Sequence, residues 1–365
     1  MTIPPSTNST WLHFVWLRII TITVFMGFVP SKGLVSNTTG SSTCTTTPNN
    51  GVDQRPLRGW LVVDFDGTCS IRDTTPLLPR LACALQNRND LLEERMATFR
   101  ILEEEFVTLY NKAKQTICSK QMSLDEALDV LDQASNIVTA KVSASGILHG
   151  LQSVSPEEMR TFLRDDNTDQ SIRDHAQLLP ECISVLSRAQ QCHWNVGILS
   201  INWCPSLIHA VVLHSLVEEQ QQQQQQLKDG TLTTHQKLSC STIPVWSNVI
   251  KDHGVVDLHV PGALAKKERI LKLQNKNNDF SNGASVLVVY VGDSSTDLAA
   301  LRAADIGILI GGSQSTIDVA QKFGITIFPL KDYNTSIDSA VAKGAIWTTD
   351  NWKHIGEFLE QQSMV

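Results

Sequence analysis

Hydrophobic and polar positions along the chain alternate between two periods. Trp60–Phe65 is a largely apolar run interrupted at Asp64, and Val286–Val291 is the most apolar stretch of all. Short continuous runs of this kind, bounded by turn residues, read as strands buried on both faces. Trp194–Leu199, Ile306–Ile310 and Thr326–Phe328 read alike, with shorter strand-like pieces at Val245–Ile250 and Val255–Val260. Three- and four-residue spacing of apolar positions predicts helices over Glu181–Gln191, Pro205–Val217, Ala265–Gln274, Thr296–Ala303 and Thr316–Phe323. Strands that alternate with helices predict an α/β fold, a Rossmann-like parallel sheet with helices on both faces.

The stretch between the first strand and Pro180 breaks that alternation. Leu81–Asn87, Leu91–Lys114 and Leu124–Ile137 carry helical spacing with dense charge between. Ser155-Pro-Glu-Glu opens a further helix, with an N-cap, a proline in the first turn and acids at the positive end of the dipole. A helical cap inserted after the first strand is therefore expected. The predicted organisation is a separate segment 1–58, an α/β core formed by 59–74 and 178–365, the cap at 75–177, and a glutamine-rich loop insertion at 218–240. The seven glutamines Gln220–Gln226 are read as a solvated loop.

Residues 1–58 look like an address. Ile19–Val29 is a mostly apolar run after Arg18 and before Pro30, too short to span a bilayer comfortably and about right for a signal-peptide core. Ser and Thr crowd residues 31–50, and no Asp or Glu precedes Asp53, as in a transit peptide. Phe28 after Gly27 resembles the signal/transit junction of algal proteins with secondary plastids. The tandem predicts an organellar destination, a plastid by that resemblance. The alternative is the secretory route or a signal anchor over Trp11–Val29.

Composition narrows the chemistry. An apolar content of 42% in 365 residues is enough for a substantial core. A net charge of −7 supplies no basic field for phosphate backbones, which argues against nucleic acid as a partner. The eight cysteines form no Cys-x-x-Cys pair and no zinc-type grouping, and read as reduced, mostly buried thiols. Neither charge nor apolar content chooses between monomer and dimer.

Polar residues stand where the predicted strands stop. Asp64-Phe-Asp66-Gly-Thr68 ends the first strand with two acids, which the turn splays into different roles: one to attack, one to handle protons. Ser200 ends Trp194–Leu199, where its hydroxyl and the following backbone N–H groups suit a phosphate oxygen or, alternatively, cap a helix. Thr68 and Asn202 are grouped with Ser200 as phosphate-binding residues. Gly292-Asp293-Ser-Ser-Thr-Asp297 places two carboxylates at a helix start, hard oxygen ligands suited to Mg²⁺. Lys266 and Lys267 open the helix before that strand. Lys266 is favoured, because Ile270 and Leu273 continue its face.

Asp64/Asp66, Ser200, Lys266 and Asp293/Asp297, in this order and at these strand ends, resemble the haloacid dehalogenase superfamily of phosphohydrolases. The resemblance covers about residues 59–360, and the helical insert resembles that superfamily's first-position cap. It implies that Asp64 attacks phosphorus to give an aspartyl-phosphate, and that Asp66 protonates the leaving oxygen and then activates water. It also implies Mg²⁺ held by Asp64, the backbone carbonyl of Asp66 and Asp293, with Asp297 supporting the metal's water shell or the lysine. A closer resemblance lies in Leu199-Ser-Ile-Asn-Trp-Cys-Pro-Ser-Leu-Ile208, Asp305-Ile-Gly-Ile-Leu-Ile310, Trp347-Thr-Thr and Trp352. These look like the phosphatase domain of bifunctional thiamin-biosynthesis proteins, and imply thiamin monophosphate as the small phosphorylated metabolite. A pyrimidine nucleotide or phosphocholine-type ester, or a non-catalytic phosphate-binding role, are the alternatives.

Overall fold

A computed structural model describes residues 59–228, 243–278, 287–333 and 344–364. The address read in residues 1–58 lies outside them, as does Val286. Seven strands form one sheet: β1 (Gly59–Val63), β2 (Trp194–Leu199), β3 (Val245–Trp246), β6 (Leu287–Gly292), β7 (Ile306–Ile310), β8 (Ile327–Pro329) and β9 (Ile346–Thr349). Their spatial order is β3-β2-β1-β6-β7-β9-β8, and every pairing in it is parallel.

Alternation along each central strand explains why both faces are covered. Leu61 and Val63 of β1 enter one apolar cluster while Val62 enters the other. In β6, Val289 and Val291 join the first, Val288 and Tyr290 the second. Each fully buried aliphatic side chain of this kind contributes about 1.5–3 kcal/mol, so the continuous apolar runs fix the middle of the sheet. Register then fixes the site. Val63 lies level with Ile198 and with Val291, so the residues just beyond these three strands emerge together at the carboxyl-end edge. Open α/β sheets bind ligands at that edge.

The residues between β1 and β2 are helical, as expected: α1 (Leu78–Leu85), α2 (Leu92–Ser119), α3 (Leu124–Ser145), α4 (Pro156–Arg164) and α5 (Gln170–His175). Ser123/Glu126 and Ser155/Glu158 form capping boxes that start α3 and α4. The insert leaves and rejoins the core at one place. Ile71 N–H donates to Gln177 O at 2.9 Å and Leu179 N–H to Cys69 O at 2.7 Å.

Further helices are α6 (Cys182–Gln191), α7 (Pro205–Lys228), α8 (Ala263–Asn278), α9 (Leu298–Ala303), α10 (Gln314–Lys322) and α11 (Trp352–Met364). Three expectations change. The glutamines Gln220–Gln226 continue α7 and are not a loop; a helix already nucleated by Pro205–Val217 propagates cheaply through a residue of good helix propensity. The segments after Val245 give β3 in the main sheet, while β4 (Val249–Ile250) and β5 (Val256–Asp257) pair with each other in a separate antiparallel ribbon. Ser295–Asp297 is a 3₁₀ turn, and α9 begins only at Leu298. No described helix is long and apolar enough to cross a membrane.

The helices between β1 and β2 pack into the same apolar clusters as the sheet, Ile117, Leu128 and Leu131 in one and Phe99, Leu102 and Val142 in the other, and polar contacts are added near the strand ends. Tyr110 of α2 shares a hydrogen bond with Ser295 at 3.0 Å, and Lys114 donates to Ser315 at 2.7 Å. Asp132 of α3 lies flat on Gly262, just before α8: a Cβ there would sit 2.0 Å from its Cγ, so this approach requires glycine.

Candidate active site

Asp64 is the first residue past β1, 4% exposed, its N–H bonded to Val291 O at 2.9 Å. Lys266, in the first turns of α8, is 0% exposed and places Nζ 2.7 Å from Asp297 Oδ1 and 3.1 Å from Asp64 Oδ1. The latter approach lies off the hydrogen-bond direction, so Asp64 Oδ1 is buried without a hydrogen-bond partner. Ile270 and Leu273 are buried on the face of α8 shared with Lys266, whereas Lys267 points outward and pairs with Asp125.

Asp297 is saturated. Oδ1 accepts from Lys266 and, at 2.6 Å, from the Tyr290 hydroxyl. Oδ2 accepts from the N–H groups of Asp293 and Ser294 and from the Ser294 hydroxyl. Burial opposes its charge, but Lys266 and these bonds outweigh burial and hold its pKa below the usual carboxylate value. Burial also opposes the charge on Lys266, and Asp297 and Asp64 outweigh it, so the ammonium is held above its usual range. Sequence placed Asp297 among the metal residues, supporting the water shell or the lysine; it is the counter-ion of Lys266 and also belongs to the group of acids that could hold a metal ion.

Asp293 differs. Its Oδ1 accepts from the Thr68 hydroxyl at 3.0 Å, and burial, followed by the charges of Asp297 and Asp64, pushes its pKa well above the usual value. Burial likewise raises Asp64 to about 7, against the pull of Lys266. Carboxylate oxygens of Asp64, Asp293 and Asp297 lie within 4.8 Å of one another. Acids packed this closely around one lysine, with an orphaned oxygen on Asp64, form a donor set that fits a hard divalent cation such as Mg²⁺.

Asp66 turns away from that group. Its Oδ1 accepts from Thr74 N–H at 2.8 Å and from Thr74 Oγ1 at 2.7 Å; its Oδ2 accepts from Asn202 Nδ2 at 2.8 Å. Burial, then the charge of Asp73, raises its pKa to about 7. The two acids thus have separate surroundings, and the side chain of Asp66 is not among the grouped carboxylates.

Two of the three expected phosphate-binding residues are otherwise engaged. Asn202 spends its second amide hydrogen on Thr74 Oγ1 at 2.9 Å, so it orients Asp66 and offers a phosphate nothing from that end. Thr68 is 0% exposed and directs its hydroxyl at Asp293. Ser200 stays at the end of β2, level with the other strand ends, its Oγ accepting the Asn202 N–H at 3.1 Å. Sequence reasoning missed Thr74 and Tyr290. Thr74 stands in a polar turn before Pro76 with nothing to mark it, and Tyr290 is indistinguishable from core within its apolar strand.

No protein-family model matches the chain. It is 24% identical over 330 residues to the mitochondrial bifunctional TH2 protein of Arabidopsis thaliana, a match covering 81% of this chain and 48% of that protein. The chain therefore spans about half the length of that curated relative. Among solved structures, cytosolic 5′-nucleotidase IIIB bound to cytidine matches with a TM-score of 0.46 at 13% identity, covering 84% of this chain and 86% of that one. A phosphoserine phosphatase from T. onnurineus matches with a TM-score of 0.38 at 14% identity, over 85% and 98%. A HAD family hydrolase from Salmonella enterica serovar Typhi matches with a TM-score of 0.34 at 12% identity, over 72% of this chain and 66% of that one.

Proposed function

We propose that this chain is a Mg²⁺-dependent phosphomonoester hydrolase working through an aspartyl-phosphate on Asp64. The observation that carries the reading is the buried, unpartnered Asp64 Oδ1 beside Lys266 and Asp293, with Asp66 held apart by Thr74 and Asn202. Asp64 attacks phosphorus along its orphaned oxygen, and the ester oxygen leaves with a proton from Asp66. Asp66, then a carboxylate, takes a proton from the water that attacks the aspartyl-phosphate, releasing inorganic phosphate and restoring both acids. Lys266 keeps Asp64 in place and offsets charge, while Ser200 binds a phosphoryl oxygen. Asp64, Asp293 and the backbone carbonyl of Asp66 would hold Mg²⁺, whose role when bound is to neutralise charge building on the phosphoryl oxygens. The helical insert, docked through Tyr110 and Lys114, closes the rim and excludes water.

The substrate we infer is thiamin monophosphate, supported by the match to the TH2 protein and by the sequence motifs around Ser200 and Trp347. An organellar location rests on the sequence of residues 1–58 and on the word mitochondrial in that relative's name. The test is phosphate release with and without Mg²⁺ from thiamin monophosphate, thiamin diphosphate, nucleoside monophosphates and phosphocholine. Mg²⁺-dependent release with thiamin monophosphate preferred is the expected result. Preference for another ester keeps the reaction and changes the substrate; no release from any ester by the folded chain contradicts the reading.

A further inference from the structure

Trp352 opens α11, far from the paired acids in sequence, and is 1% exposed. An indole has one polar atom, and burying it requires an acceptor. Here Nε1–H donates to the backbone carbonyl of Thr68 at 2.8 Å, across 284 residues of chain. Within the turn from Phe65 to Ser70 the N–H groups of Thr68, Cys69 and Ser70 converge on Phe65 O, and Cys69 O accepts the Leu179 N–H at 2.7 Å. Those bonds shape the turn and hold its Cys69–Ser70 end, while the indole bond is the one that ties the Thr68 carbonyl to α11.

Thr68 is the pivot between the two acidic loops. Its carbonyl takes the indole bond and its hydroxyl holds Asp293 Oδ1 at 3.0 Å. Gly67, at φ +74°, lies so close to Asp293 that a Cβ would stand 2.6 Å from Oδ2. The Asp293 carboxylate is thus seated on the Gly67-Thr68 peptide, and any drift of that peptide re-aims it. Outer hydrogen bonds that orient a carboxylate ligand typically govern metal affinity by 10- to 100-fold.

We propose that Trp352 is a positioning residue for the divalent cation, acting through Thr68 on Asp293. The inference rests on the phosphatase reading of the site. Trp352→Phe keeps the buried ring and deletes the donor. The Mg²⁺ dissociation constant, measured by calorimetry on the full chain, is expected to rise about 10-fold or more. In turnover, the Mg²⁺ concentration for half-maximal rate should rise likewise, with the rate recovering at saturating Mg²⁺. Thr68→Val should weaken Mg²⁺ similarly, Thr68→Ser should not, and combining Trp352→Phe with Thr68→Val should cost less than the two losses multiplied. Equal Mg²⁺ affinity in Trp352→Phe and the unmodified chain overturns the inference, as do independent, fully multiplying losses. If Trp352→Phe does not fold, the Thr68→Val and Thr68→Ser pair decides: no difference between them overturns it. An unmodified chain that takes up no Mg²⁺ is a separate result, one that overturns the phosphatase reading beneath it.

Discussion

Asp64→Asn is expected to lower phosphate release by at least about 10³-fold while leaving the fold intact, since loss of a nucleophile removes the step that all the other groups serve. The substitution is nearly isosteric and exchanges a buried charge for a neutral amide. Burial already pushes the Asp64 carboxyl up to about 7, so keeping it ionised at higher pH works against folding. Lys266 retains Asp297 as its partner at 2.7 Å, so the exchange leaves no unpaired ammonium. The urea midpoint of Asp64→Asn should therefore equal or exceed that of the unmodified chain. Initial rates and urea unfolding check both halves, and retention of more than a few per cent of activity would assign the attack to another group.

Lys266→Met should have the opposite signature, a fold that suffers along with the activity. The ammonium is wholly buried against Asp297 and Asp64. Removing it leaves carboxylates in the interior without a counter-ion, a loss of about 3–5 kcal/mol for a broken buried pair. Adding Asp297→Asn should restore part of that stability, because it removes the stranded charge and keeps the shape. Lys267→Met is the control. Its pairing with Asp125 is partly exposed, and such pairs contribute about 1 kcal/mol or less. Urea unfolding of the three variants separates the lysines; equal costs for Lys266→Met and Lys267→Met would contradict the placement of Lys266.

The contrast between the lysines also shows what could be read in advance. Helical spacing put Ile270 and Leu273 on the face of Lys266, and β1, β2 and β6 were visible as apolar runs because strands buried on both faces carry little else. Residues ending those runs were visible too, since a polar group at a buried strand's end is conspicuous. What they touch was not. Asn202 and Thr68 sit at the expected strand ends, yet their donors go to Asp66 and Asp293, and only the register and turn geometry decide that. Tyr290 escaped because an aromatic ring in an apolar strand hides its hydroxyl, and Thr74 because a threonine in a polar turn is commonplace. β4 and β5 are two residues each, too short for alternation to show, and β9 reads as Ile-Trp-Thr-Thr with no apolar run to announce it. The glutamine tract misled because composition argued for solvent, while the helix before it had already met the cost of nucleation.

Acid quenching of the full chain during turnover, followed by mass analysis of the peptide that contains Asp64, tests the central claim most directly. With Mg²⁺ and a turned-over phosphate ester, the account predicts a phosphoryl group on Asp64, absent from Asp64→Asn and removed by alkaline hydroxylamine as an acyl phosphate should be. Turnover with no phosphoryl group on Asp64, or with one on a different residue, would contradict it.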